Sequence, residues 1–74
     1  MEFPNKVINY NESIISKFPN ILFLLKDKRY TIISLYEKTK NYFEDINEFI
    51  ETLDCLFALN KIKIDEESRS VELC

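Results

Sequence analysis

The chain contains no glycine, no histidine and no tryptophan, and only two prolines and two cysteines among 74 residues. Without glycine there can be no glycine-rich loop to cradle a phosphate, neither a P-loop nor a dinucleotide fingerprint. Positions of positive φ must then fall to asparagine or aspartate, which tolerate the left-handed region at modest cost. Without histidine there is no side chain that ordinarily titrates near neutrality, no imidazole metal ligand, and no partner to activate a serine nucleophile. Cys55 and Cys74 are too few and too far apart to read as a disulfide framework or a zinc site. No catalytic residue, cofactor or metal site is therefore expected, and the chain reads as non-enzymatic.

Long apolar runs are missing too. The longest, Ile21 to Leu25, has five residues, against the ~18–20 that a membrane span needs. The opening MEFPNKVINY has no basic region followed by an apolar core, so it is not a signal peptide, and the initial Met reads as a natural start. A reducing cytoplasmic setting with no membrane partner fits these features.

What is present is a globular composition, 46% hydrophobic and 31% charged. At this length one small domain, residues 1–74, is all that can form, and it would bury only roughly 60% of its unfolded surface. Residues 1–10 read as an irregular arm with Phe3, Val7, Ile8 and Tyr10 available to pack. Asn11 or Ser13 can cap a first helix running to about Lys26, with Ile14, Ile15, Phe18, Ile21, Leu22 and Leu25 on one arc. Pro19 lacks an amide hydrogen and should kink or divide this helix near Phe18. Phe23 falls opposite the arc.

After a charged turn, Tyr30 suits a strand of one or two residues. Thr31 then caps a second helix, about Ile32 to Tyr42, with Ile32, Leu35, Tyr36 and Phe43 near one face. Asp45 and Glu48 form a capping-box-like pair opening a third helix, Ile46 to about Leu59. Its expected inward stripe is Ile46, Phe49, Ile50, Leu53, Leu56 and Phe57, and Asn60 can take the left-handed position that ends it. Beyond Asn60 the apolar period drops from 3.6 to 2, so residues 61–74 read as a β-hairpin whose turn spans Asp65 to Arg69. The order predicts a mainly α fold with a small β-hairpin, a winged helix-turn-helix of three helices plus a C-terminal wing.

Such folds often read DNA through the last helix, where lysine, arginine and amides meet the duplex. Here the stretch 41–58 carries Glu44, Asp45, Glu48, Glu51 and Asp54 and no basic residue. Residues 1–43 hold seven basic and four acidic groups, whereas residues 44–74 hold three basic and nine acidic. Carboxylates on the reading helix would repel phosphates, so direct nucleic-acid binding is not expected. The alternative, a DNA-binding transcriptional regulator, would have to use the basic side around Lys26, Lys28 and Arg29.

The wheel places Asn47, Glu48, Glu51 and Asp54 outward on the third helix, with Cys55 and Leu59 away from its main stripe. Ten aromatics are more than three short helices hide easily. Either the arm folds over Phe23 and the hairpin covers Leu59, or these residues sit at an interface, where aromatics are enriched. On the second reading, Phe23 and Leu59 anchor a partner while Glu48, Glu51 and Asp54 steer its basic patch. Asp54 could instead bond the arm or the wing.

The segments PNKVI, ILFLL and TIISLYEK, and above all FIETLDCLFALNKI, resemble the small middle component of ABC-three-component systems, with the sixth middle-component family as the nearest subgroup. The resemblance covers about Pro4 to Ile64, and Phe49, Leu53, Asp54, Leu56, Phe57, Ala58, Leu59 and Ile62 are its most specific part. It implies a bacterial adaptor subunit encoded between an SMC- or Rad50-like ABC ATPase and a third, effector component, in systems inferred to act against phage or plasmids. It also implies that Asn60 stands where the family usually has a helix-ending glycine.

Overall fold

The computed structural model describes residues 12–74. The predicted arm, including Phe3, Val7, Ile8 and Tyr10, and the candidate cap Asn11 lie outside the described residues. A helical stretch at 12–16 leads into α1 (Phe18–Leu25), then β1 (Tyr30–Thr31), α2 (Ile32–Thr39), a 3-10 turn (Lys40–Tyr42), α3 (Ile46–Ala58), β2 (Ile62–Asp65) and β3 (Ser70–Leu73). Three helices and a three-stranded antiparallel sheet make a winged-helix-like arrangement, as the pattern predicts.

Pro19 divides the first helix as expected. The break falls at Lys17, which caps α1 with φ −91° and ψ −7°, and Pro19 sits within the first turn. The first four amides of a helix have no intrahelical acceptor, so proline's missing donor costs little there. Asn20 and Ile21 donate their amides to the Lys17 carbonyl at 3.1 and 3.4 Å, opening α1, while the Lys17 amide reaches back to the Ile14 carbonyl at 3.1 Å across the break. Ser13 is no cap. It lies inside the 12–16 stretch, and its hydroxyl donates instead to the Glu48 carboxylate at 2.9 Å.

The other helix ends follow their local chemistry. The Thr31 Oγ1 accepts from the Ser34 amide at 3.1 Å at the start of α2. The second helix ends its α geometry at Thr39, with the 3-10 turn carrying the chain to Tyr42. At α3, Asp45 Oδ1 accepts from the Glu48 amide at 3.0 Å. The return bond of the capping pair is displaced by one residue, since Glu48 Oε1 accepts from the Glu44 amide at 2.9 Å. Asn60, at φ 62°, ends α3 in the left-handed region. The Lys61 amide reaches the Leu56 carbonyl at 2.9 Å and the Asn60 amide reaches that of Phe57 at 3.0 Å, the paired bonds of a Schellman closure.

Asn60→Gly is therefore expected to raise stability by about 0.5 kcal/mol, and Asn60→Val to lower it by about 1–2 kcal/mol, because a branched Cβ crowds the following carbonyl at positive φ. Urea midpoints of the two variants check this; equal midpoints would contradict it. Asparagine and aspartate do not take every positive φ, however. Arg69, at φ 54°, takes the second such position, at the end of the wing turn. Its carbonyl accepts the Ile32 amide at 2.9 Å, so sheet closure holds it there.

The sheet order is β1-β3-β2, with Val71 paired to Tyr30 on one side and Ile64 on the other. The Cys74 amide extends the β2–β3 ladder to the Lys61 carbonyl at 3.1 Å. The helices and the sheet enclose one core of Ile21, Leu25, Leu35, Phe43, Phe49, Leu53, Leu56, Ile62 and Val71. Phe49 is its centre, fully buried, with ring centroids 4.9 Å from Tyr36 and 5.4 Å from Phe43.

The helix faces differ from expectation in two places. Ile15, expected on the inner arc of the first helix, is exposed. On α3, Phe49, Leu53 and Leu56 are buried as expected, but Ile46, Ile50 and Phe57 are 52%, 40% and 53% exposed. Glu48 and Thr52 are buried instead. The buried arc is thus turned by roughly 70° from the expected one, at 100° per residue. Both polar groups are satisfied inside: Thr52 Oγ1 donates to the Glu48 carbonyl at 2.8 Å, and the Glu48 carboxylate collects donors from two segments. A polar side chain with its bonds made can enter a core, and here it displaces apolar neighbours to the surface.

Candidate functional site

The five candidate docking residues are not equivalent in space. Phe23 is 70% exposed and, with Pro19, Asn20, Leu24, Lys38 and Tyr42, lines an open groove of about 420 Å³ between α1 and the α2 end. Leu59 is 57% exposed at the C-cap of α3, so the hairpin does not cover it. It does not line the Phe23 groove, and the two are not brought into one site. Glu51 and Asp54 are exposed on α3, three residues apart, as expected. Among the described residues no hydrogen bond or ion pair joins Asp54 to the wing, and the arm, the other expected partner, lies outside them.

Glu48 does not point outward. It is 7% exposed, and its carboxylate accepts from the Glu44 amide at 2.9 Å and the Ser13 hydroxyl at 2.9 Å, with Lys17 Nζ at 3.6 Å. The Glu44 amide is the chief cause of a carboxyl pKa below the ordinary 4.5; burial opposes it, and Ser13 and Lys17 reinforce it. Lys17 is itself fixed by Ser13, its Nζ 3.0 Å from the hydroxyl, and it stacks 5.8 Å from the Phe43 ring centroid. These contacts clasp the 12–17 segment to the start of α3. Glu48 is therefore unavailable to steer a partner.

Three apolar residues expected on the inward side of α3 stand at its surface instead. Ile46, Ile50 and Phe57, at spacings of four and seven, lie within about 40° on one face of α3. This exposed stripe runs beside the buried Phe49 and Leu53 on one flank and beside Asp54, Asn47 and Glu51 on the other. The available signal was the helix's spread of apolar positions, with Cys55, Ala58 and Leu59 outside the expected stripe, which leaves the orientation of the helix open. Only the inward placement of Glu48 decides which part of that spread is left out.

Two further surfaces complete the picture. Lys26, Lys28 and Arg29 are exposed in the turn after α1, with Lys28 Nζ 5.2 Å over the Tyr30 ring. They are not on α3, which has no lysine or arginine. At the wing, the Ser68 hydroxyl and then the Glu67 amide hold the Asp65 carboxyl below its ordinary pKa. Asp65 Oδ1 accepts that amide at 3.0 Å, fastening the turn. Cys55 and Cys74 are exposed and unpaired. Among the described residues no group of three or more His, Cys, Asp or Glu could hold a metal ion, and no helix is long and apolar enough to cross a membrane.

A family model for the ABC-three component (ABC-3C) system Middle Component 7 matches residues 3–71. The chain belongs to this family. The resemblance in the sequence is thus upheld at the level of the ABC-3C middle components, with the seventh family in place of the sixth. No curated protein and no solved structure matches the chain. Membership carries one consequence without further argument: a middle component works among the other components of its system. In this middle component, the exposed apolar surface includes Phe23 and the Ile46, Ile50 and Phe57 stripe of α3.

Proposed function

We propose that this middle component is a non-enzymatic adaptor in a bacterial ABC-3C system directed against phage or plasmids, acting in the cytoplasm. It docks onto an SMC- or Rad50-like ABC ATPase and joins it to the third, effector component. The nucleotide chemistry then belongs to the ATPase. One observation carries the reading: α3, the element that enters DNA in nucleic-acid-reading winged helices, offers an exposed apolar stripe flanked by Asp54 and Glu51 and has no basic residue. Such a face suits a protein surface and is repelled by phosphates. Phe23 and Leu59, both exposed, are further candidate anchors, and Asp54 and Glu51 orient a basic partner patch.

Co-expression with the ABC ATPase component of an ABC-3C system tests the proposal. A stable complex is expected to co-purify, and Phe23→Asp with Leu59→Asp is expected to weaken it by about tenfold or more if these two are hot spots. Failure of the wild-type pair to associate would sink the adaptor reading. The alternative, a DNA-binding regulator, would instead show affinity for random duplex DNA that falls steeply with salt and is lost when Lys26, Lys28 and Arg29 become alanine.

A further inference from the structure

We infer that the Ile46, Ile50 and Phe57 stripe of α3 is the seat for an amphipathic helix of a partner subunit, one whose apolar ridge is bordered by lysine or arginine. The inference rests on the adaptor reading and specifies the surface and the chemistry of its partner. Single exposed apolar residues are ordinary on any protein. Three large ones within about 40° of one helix face, spanning eleven positions or ~16 Å at 1.5 Å per residue, form a continuous ridge. Their flank on one side is the core itself, Phe49 and Leu53, both buried. A partner laid on this ridge would extend the hydrophobic interior rather than touch an isolated spot.

The occupant's shape follows from the spacing. Residues at i, i+4 and i+11 line one narrow ridge about three turns long, which packs into the groove of another helix. The occupant's charge follows from the other flank. Asp54 stands between Ile50 and Phe57 on their outer side, four residues after one and three before the other, and Asn47 and Glu51 continue the edge. No lysine or arginine occurs anywhere from 41 to 60. Basic side chains along the occupant's rim would meet this edge, whereas carboxylates would be repelled. A second copy of the chain is the poorer fit. Antiparallel pairing about a two-fold axis would set one acidic edge against the other, and residues 44–74 carry nine acidic groups to three basic.

Two 18-residue helical peptides with the same leucine face, one bordered by lysine and the other by glutamate, provide the probe. Their affinities are read by fluorescence anisotropy against the intact chain. The lysine peptide is expected to bind at least about tenfold more tightly than its glutamate twin, and Ile50→Ser with Phe57→Ser to remove at least about tenfold of that affinity. Asp54→Asn is expected to weaken binding about threefold and to reduce its salt dependence. Circular dichroism melts confirm that the variants stay folded, as substitutions at exposed positions should allow. Equal binding of the lysine peptide to the wild type and the double variant would overturn the assignment, as would equal binding of both peptides. A concentration-dependent dimer abolished by the same two substitutions would overturn it in favour of self-association. In the co-expression experiment, an ATPase complex indifferent to Ile50→Ser and Phe57→Ser would reject this surface while leaving the adaptor role intact. No complex with the wild type would reject the adaptor role itself.

Discussion

Phe49→Ala is expected to unfold much of the population, with a loss of about 3–5 kcal/mol. A domain of this length has roughly 4–11 kcal/mol in all. Phe49 is fully buried and joins Tyr36 and Phe43, the aromatic residues of α2 and of the chain just after the 3-10 turn, to α3. Truncation would remove the transfer free energy of a whole ring and both aromatic contacts. It would also open a cavity that residues from different elements cannot all close. Ile50, the next residue, is 40% exposed, and Ile50→Ala should cost about 1–1.5 kcal/mol on burial alone. Urea melts of the pair check the contrast. Two losses of similar size would mean that α3 is rotated otherwise than described.

Glu48→Ala is the second large loss, expected at about 2–3 kcal/mol because a part-buried amide, a hydroxyl and a half-buried ammonium lose their acceptor together. Glu48→Gln keeps a carbonyl for the Glu44 amide but gives up the charge and the second oxygen that accepts the Ser13 hydroxyl, so its loss should be smaller, about 1–2 kcal/mol. The same site predicts a dependence on pH. The folded carboxyl is held below its ordinary 4.5, chiefly by the Glu44 amide. A depressed folded pKa contributes stability that is complete above the unfolded value and is lost as pH falls through the folded one. The wild type should therefore weaken as pH drops below about 4.5, and Glu48→Gln should weaken less over the same range. Asp65, also depressed, titrates in both proteins and cancels in the comparison. Parallel pH profiles for the two proteins would show that Glu48 is not held as described.

Most of the element boundaries were legible because each is written within a few residues. Thr31 reaches Ser34, Asp45 reaches Glu48, Pro19 forbids a continuous first helix, and Asn60 accepts a positive φ. The strand pair at 62–65 and 70–73 likewise announces itself by its period of two. The rotation of α3 was not legible, since its cause lies 35 positions away: Ser13 donates to Glu48 across the domain. Hydropathy ranks a glutamate and a threonine as outward, and it cannot register that their bonds are made internally. The candidate surface shifted for the same reason. Phe23, Leu59, Glu51 and Asp54 stayed exposed, Glu48 went inside, and Ile46, Ile50 and Phe57 took its place at the surface. Arg69 escaped notice because residue type alone does not point to an arginine at positive φ.

The strand that comes last in the domain's sequence, β3, is the middle strand of its sheet. β1 and β2 therefore never pair with each other, and the sheet assembles only when residues 70–73 lie between them. The helices rest on local bonds, whereas Tyr30 meets Val71 across 41 positions, the longer closure in the sheet. Sheet formation is thus tied to the docking of the helices that lie between its strands in sequence, and the core closes only when Ile62 and Val71 meet the helical residues.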